Sequence, residues 1–402
     1  MRAYKDSGIE WLGEIPEHWE IKPLRAILNQ RNEQNNDLKL QTILSLIKDI
    51  GVIPYEEKGN VGNKSKEDLQ SYKIARINDL VLNKMNAVIG SLGVSAYNGL
   101  VSPIYLVFYI DNPKYLMSYY YYLFQIKSVQ KFLKTFAYGI MEIRESIDYL
   151  DFKKMFLPTP PLEEQKAIAD FLDSKCKQIE SFVDKKQKLI TLLNEKKQAL
   201  INECVTKGLN KNIKYKDSGI KHLGKIPKHW KIKKFKHLAI ICNGKEQLQV
   251  ASDNGVYPIY GSGGIIGKTN QFLYNKQSVL LGRKGTIDKP LFVEIPFWAI
   301  DTMFYTKILD IVHSKYFYYL CLTIDFKIYT SGSAIPSMTQ SDLAEIIFPF
   351  APLQEQKQIA EFLDSEISKI DSIIEKIKKQ IELIKEYKST LINQAVCGRI
   401  NL

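Results

Sequence analysis

The stretch Tyr260-Gly261-Ser262-Gly263-Gly264-Ile265-Ile266-Gly267-Lys268-Thr269 ends in the Gly-Lys-Thr of a phosphate-binding loop. Such a loop needs a glycine, four residues and then Gly-Lys-Ser/Thr, so that backbone N–H groups curl around phosphates. Counting back from Gly267 puts Ser262, not glycine, at the first position. A helix should follow and aim its N-terminus at the anion. The residues after Thr269 read instead as a short extended piece, a turn at Asn275-Lys276 and a strand. The aspartate that would bind magnesium, Asp301, sits behind a proline. Nucleotide binding is therefore disfavoured, and the glycines and the lysine need another use.

Other catalytic chemistries are weakly represented. No histidines stand at metal-ligand spacing, and His18 and His229, beside Trp19 and Trp230, occupy equivalent positions of a repeat, which suits a structural role. No Ser-His-Asp or Cys-His arrangement is suggested locally. The Asn/Asp-Pro-Pro-aromatic turn of an adenine methyltransferase is not matched by "TPPL" or "DNPK". Asp49 with Glu56 and Lys58 loosely fits a nuclease metal site, a pattern common by chance in a lysine-rich chain.

What remains is polar and basic loop chemistry. "DLVLNKMNAVIGSLGVSAYNG" carries Asn83, Lys84, Asn86, Ser91 and Tyr97 between strand-like pieces. "PIYGSGGIIGKTN" and "VLLGRKGTIDKP" present Tyr260, Ser262, Lys268, Arg283, Lys284 and Thr286. Lysine and arginine neutralise phosphates, and glycines let a backbone approach closely. Asparagine can read adenine and arginine guanine in the major groove. Solvated turns would look similar one residue at a time; two such sets at comparable places strengthen the binding reading. Lys64, Arg144 and Ser333 join the candidates for DNA contact.

These loops sit inside a chain written twice. Tyr4–Leu24 and Tyr215–Phe235 share 14 of 21 residues, and the 22-residue segments from Pro161 and Pro352 share 13. The offsets are 211 and 191, so the second intervening segment is 20 residues shorter. The repeated parts are the frame and the unlike parts the payload. After each Pro-Leu, apolar residues recur with heptad steps of three and four. The first seam runs Ala169, Leu172, Cys176, Ile179, Val183, Lys186, Ile190, Leu193, Lys197, Leu200, and Cys176 is thus a core side chain. The second runs Ala360, Leu363, Ile367, Ile370, Ile374, Ile377, Ile381, Ile384, Lys388, Leu391. Acids at Glu163, Glu164 and Glu355 suit helix starts, and Gly208 and Gly398 suit helix stops. Each helix of about 45 residues would be a rod of roughly 65 Å. The seams must be covered, either by each other within one chain or in a homodimer.

The payload segments read as two diverged α+β domains of one fold. "VSPIYLVFYI" suits a buried strand, and the tyrosine run Tyr119–Tyr122 lies at helical spacing with Leu116, Leu123 and Phe124, which suits core. At 402 residues two to three domains are expected. The five cysteines are widely spaced without a Cys-x-x-Cys, which argues against a zinc site and for a reducing cytoplasm. There is no apolar run of membrane-spanning length and no signal-peptide pattern at the start. The net charge of +12 suits a polyanionic partner; it divides as +3 over residues 1–210 (29 basic, 26 acidic) and +9 over 211–402 (27 and 18).

The doubled "PLEEQ"/"PLQEQ" helix entries, the doubled "GxIPxHW" openings and the payload phrases "NKMNAVIGSLGVSAYNGLVSPIY" and "YPIYGSGGIIGKTNQF…LLGRKGTID" resemble, over essentially the whole chain, a specificity subunit of a type I restriction–modification system. The resemblance implies an α+β fold with two similar target recognition domains joined by two long antiparallel coiled-coil helices, an internal repeat with pseudo-twofold symmetry. The expected boundaries are 1–160 and 211–351 for the two domains, with spacer helices in 161–210 and 352–402. Each domain would read half of a bipartite, asymmetric site on double-stranded DNA. Two adenine-N6 methylase subunits would bind, and restriction (motor) subunits would join for cleavage. The chain itself would be non-catalytic and would need no cofactor, the nucleotide and S-adenosylmethionine sites belonging to the partners. The other readings, a cryptic nuclease or nucleotide-using enzyme and a coiled-coil scaffold without DNA, differ in testable ways: metal-dependent cleavage by the chain alone, or failure to bind any duplex.

Overall fold

A computed structural model describes residues 2–60, 68–86, 89–138, 146–221, 223–329 and 336–402. The chain divides into two compact units, residues 1–186 with 379–402, and residues 187–378. Among the described residues no helix is long and apolar enough to cross a membrane.

In the first unit a hairpin (Tyr4–Asp6 with Glu14–Pro16) is followed by the strand Glu20–Pro23, which pairs antiparallel with Phe156–Thr159. The core sheet has the order Asn29–Gln30, Tyr105–Tyr109, Leu80–Asn83, Leu92–Val94, all antiparallel. Two helices pack near it, α1 (Met117–Gln125) and α2 (Lys127–Leu133). The continuous helical pattern in the sequence is broken between them at Ile126, whose backbone is extended. Tyr119, Tyr120 and Tyr122 are buried, so the tyrosine run is core. A short α3 (Tyr149–Phe152), capped by the Asp148 side chain, precedes α4 (Leu162–Lys207).

The second unit repeats this order. Tyr215–Asp217 pairs with Lys225–Pro227, and Lys231–Lys234 with Ile347–Phe350. Its sheet runs Ala239–Asn243, Met303–Ile308, Ser278–Gly282, Leu291–Val293. Then come α5 (Ser314–Cys321), α6 (Gln340–Glu345) with a Thr339/Asp342 capping box, and α7 (Leu353–Val396). The payloads differ at the edges. The first unit adds the hairpin Leu44–Ile47/Gly51–Pro54 and the pair Lys73–Ala75/Gly99–Val101; the second adds a three-stranded sheet, Gly264–Thr269, Tyr257–Gly261, Trp298–Ala299.

The seam residues of α4 and α7 face inward. Leu172, Ile179, Ile190, Leu363, Ile367, Ile370, Ile374, Ile377 and Ile381 are buried, and Val183, Leu193 and Ile384 are half-buried. In the first unit Leu172 and Cys176 share a core with Leu391, Ile392 and Ala395; in the second Ile201 and Val205 share one with Ile359 and Leu363. Within each unit the two helices therefore run antiparallel. Lysine at a seam position looks like a defect in the pattern, but two of the three, Lys197 and Lys388, find a carboxylate across the seam, while Lys186 lies over the Phe182 ring at 5.2 Å. Lys388 Nζ reaches Glu180 at 2.8 Å in the first unit, and Lys197 Nζ reaches Asp371 at 2.8 and 2.9 Å in the second. A polar seam position of this kind fixes register at some cost in stability.

The repeated motifs close on one another. Trp19 Nε1 donates to Glu164 Oε2 at 3.0 Å while His18 and Arg2 hold the same carboxylate; Trp230 Nε1 donates to Glu355 at 3.0 Å and His229 bonds it at 2.6 Å. The neighbouring Gln165, fully buried, accepts from the Leu116 N–H that opens α1 and donates to the Lys114 and Pro160 carbonyls. Gln356 does the same for His313 N–H and the Ile311 and Ala351 carbonyls. Further along, Tyr122 donates to Asp173 and Tyr319 to Asp364, both at 2.6 Å. The "EQ" dipeptide and the aspartate of "FLDS" thus fasten each globular part to the start of its helix. The glycine stops pack on the same tryptophans. Gly398, at φ +69°, lies where a Cβ would stand 2.7 Å from Pro16 and 2.9 Å from Trp19, and Gly208, at φ +74°, where it would stand 3.2 Å from Trp230.

Burial alone would raise the Glu164 carboxyl, but the hydrogen bonds from His18 and Trp19 and the charge of Arg2 outweigh it and hold it below its ordinary value. A carboxylate depressed in the folded state stabilises above its unfolded pKa, and the contribution is lost as pH falls through the folded pKa. Glu164→Gln is therefore expected to be less stable than the parent near pH 7 and to converge with it below about pH 4. Thermal midpoints measured across that range check this; an equal offset at every pH would assign the loss to shape rather than charge.

Candidate nucleic-acid interface

In the first unit the strand Leu80–Asn83 is buried throughout and leads into the described residues 84–86 and 89–91, ahead of the strand Leu92–Val94. Asn83 shapes the turn at 84–86. Its side-chain oxygen accepts from the Met85 N–H at 3.1 Å and its N–H donates to the Ser91 carbonyl at 3.0 Å. Asn83 and Ser91 are buried at its foot, Lys84 is half-buried and Asn86 is exposed. Lys73, which the sequence did not single out, joins them: its Nζ donates to the Tyr105 carbonyl at 2.9 Å, and Tyr105 pairs with Asn83. Burial lowers the Lys73 amine, and the charge of Lys84 adds to the effect. The Ile147 N–H donates to the Lys84 carbonyl, which brings the paired strands Ala137–Tyr138 and Ser146–Ile147 to the same end of the sheet. Tyr97 is not brought here. It lies three residues after the strand Leu92–Val94, beyond the Leu80–Val94 pair, at the end of the sheet opposite the turn. Lys64, Arg144 and Ser333 fall outside the described residues.

In the second unit the glycine-rich stretch is a β-hairpin, not a phosphate loop. Tyr257–Gly261 pairs with Gly264–Thr269 around a two-residue turn, Ser262-Gly263, and no helix follows. The hairpin tip rests on the second basic loop, since a Cβ on Gly285 would stand 2.9 Å from Ser262 Oγ. That loop is pinned by backbone bonds from Arg283 N–H to Thr302 O at 2.8 Å and from Gly285 N–H to Pro336 O at 3.0 Å, with a bridge between Lys284 and Ser337. The Ile300 N–H donates to the Tyr260 carbonyl at 3.0 Å. Tyr260, Ser262, Arg283, Lys284 and Thr286 therefore gather at the Gly282 end of the strand Ser278–Gly282. Lys284 is exposed, Arg283 and Thr286 are half-buried, and the Tyr260 ring leans on Phe297 with centroids 6.2 Å apart, burial raising its hydroxyl pKa. Lys268 is exposed opposite Pro258, four residues up the ladder from the tip and about 13 Å from it.

Asp49, of the loose nuclease pattern, sits exposed in a tight turn at φ +64°, and Lys58 lies over the Tyr55 ring at 4.3 Å. Among the described residues no group of three His, Cys, Asp or Glu side chains could hold a metal ion.

The same fold with unlike loops, occurring twice, has a counterpart among known families. The model described as "Type I restriction modification DNA specificity domain" matches residues 16–191 and again 227–383. The chain belongs to this family. Each match takes in one globular part and most of the long helix after it. Relatives include a "Putative type I restriction enzyme MjaX specificity subunit" of Methanocaldococcus jannaschii, 27% identical over all of this chain and 99% of the relative. The MjaVIII specificity subunit of the same organism is 25% identical over all of this chain and 98% of its own length. Among solved structures, a chain from work titled as the structural basis of complex assembly and conformational transition of the type I R-M system superposes with a TM-score of 0.76 over 96% of this chain and 99% of that one, at 12% identity. The HsdS subunit of Thermoanaerobacter tengcongensis gives a TM-score of 0.54 over 98% of this chain and all of the other, at 13% identity. The chain is a type I specificity subunit with two DNA-specificity domains, each built on the family's frame.

Proposed function

We propose that each unit reads one half of a bipartite, asymmetric DNA site and that the chain sets adenine-N6 methylase subunits over the adenine to be modified in each half. With restriction subunits joined, the same reading would direct cleavage. The observation that carries this is one frame built twice around two unrelated sets of amide- and cation-bearing loops. Two copies of one reader would give a symmetric site; two different readers give an asymmetric one. Residues 1–160 and 211–351 act as the readers, and 161–210 and 352–402 as the spacer between them. On this reading Lys84, Lys268 and Lys284 meet phosphates and Asn86 and Arg283 base edges, while Asn83 and Ser91 hold the first loop in shape. The chain contributes position, not chemistry: the methylase must extrude its target base, at a cost of a few kcal/mol, and the reader decides where.

The test is long-read mapping of N6-methyladenine in host DNA with this gene intact and deleted, its methylase present in both. A split motif with one modified adenine per strand, lost on deletion, is expected. An unchanged methylation pattern would sink the proposal.

A further inference from the structure

We infer that the hairpin Tyr257–Thr269 enters the major groove as a two-stranded ribbon and that Ile265 and Ile266, at its tip, read thymine methyl groups in one half-site. The inference rests on the reading of this unit as a DNA reader and says how one part of it discriminates bases.

The two isoleucines are 64% and 51% exposed, although they are neighbours in one strand. Alternation would turn one of them inward. The ladder prevents it. Ile259 pairs with Gly267 and Tyr260 with Ile265, so Ile266 is an extra, unpaired residue, a bulge that re-aims its side chain. Ile266 leans across the turn toward Gly261, its Cγ2 lying 3.3 Å from where a Cβ on that glycine would stand. Glycine there leaves room for it, and Gly263 and Gly264 keep the tip slim. The result is a firm aliphatic knuckle on a narrow support.

Its surroundings favour DNA over an apolar protein surface. Lys268 is exposed on the same strand, and the tip stands on the loop of Arg283 and Lys284 through Ser262. The lysines among these cations, Lys268 and Lys284, suit the phosphates that border a groove. The major groove, about 12 Å wide, admits a two-stranded ribbon as it stands, whereas the minor groove, about 6 Å wide, would have to be deformed to take one. The apolar group that base pairs display in the major groove is the thymine C5 methyl, so an aliphatic tip discriminates thymine from the other bases by contact alone.

The experiment uses the full chain assembled with its methylase subunits and a duplex carrying the mapped motif. Each thymine is replaced in turn by deoxyuridine, which removes only the methyl group. At one or two positions in one half-site the replacement is expected to weaken binding about fourfold, the loss of one buried methyl. The Ile265→Ser/Ile266→Ser double variant should bind the unmodified duplex more weakly and show no deoxyuridine effect at those positions. If no replacement weakens the parent complex, or if the double variant keeps the full effect, the inference is overturned. A double variant that loses its methylase while keeping its deoxyuridine response would give the isoleucines to the protein partner and overturn it too. Absence of any site-specific binding by the parent complex would instead bring down the DNA-reader proposal, and this inference with it.

Discussion

Trp19→Ala is expected to destabilise the first unit by about 3–5 kcal/mol, the range for emptying a large buried aromatic site. Trp19 is fully buried and meets α1, the start of α4 and the end of α7. Its ring meets Tyr119 of α1 edge-on at 6.4 Å, Arg2 lies over it at 6.0 Å, and Gly398 at the end of α7 closes against it. Its indole N–H bonds Glu164 in the first turn of α4. Truncation therefore opens a cavity and also removes one donor from a partly buried carboxylate. Trp19→Phe separates the two effects, because it keeps most of the ring and loses the donor; about 1–3 kcal/mol is expected for that. Trp230→Ala should cost the second unit a similar amount, since Trp230 makes the same bond to Glu355 and the same contact with a helix-stop glycine. Denaturant unfolding of the full chain and the three variants measures this, and a loss below about 1 kcal/mol for Trp19→Ala would show that the frame does not depend on the indole.

Removing one heptad from each long helix is expected to move the half-sites together without changing what they are. Asp184–Ile190 and Lys378–Ile384 each span seven residues, so their loss restores the seam on both helices. The bridges Glu180–Lys388 and Lys197–Asp371 lie outside both deletions, and each can still form. Each helix shortens by about 10 Å, which corresponds to a gap shorter by about three base pairs at roughly 34 Å per ten. A deletion in one helix alone would put seam residues out of step and should abolish function instead. Methylation mapping reads the outcome: the old half-sites with a new gap support a spacer whose length sets the gap, and new half-sites with the old gap contradict it.

The sequence by itself determined the frame, because its signals are local or repeated. Heptad steps mark α4 and α7, the missing glycine at Ser262 and the missing helix after Thr269 rule out a phosphate loop, and buried spacing places Tyr119–Tyr122 in the core. Local pattern could not see that the helical stretch over 117–133 breaks at Ile126, since both halves carry the same apolar period and only the backbone of one residue differs. What tertiary structure alone decided is which distant residues meet. His18 and Trp19 lie some 145 residues from Glu164, and no period links them. Lys73 reaches Tyr105 beside Lys84 only because the sheet folds it there, while Tyr97, close to Ser91 in the chain, is carried to the far end of a strand. Ser262 comes to rest on Gly285, joining two basic loops that the sequence could only set side by side. Repeats and periods are properties of neighbours along the chain; the composition of a binding face is set by non-local strand pairing, which those patterns do not encode.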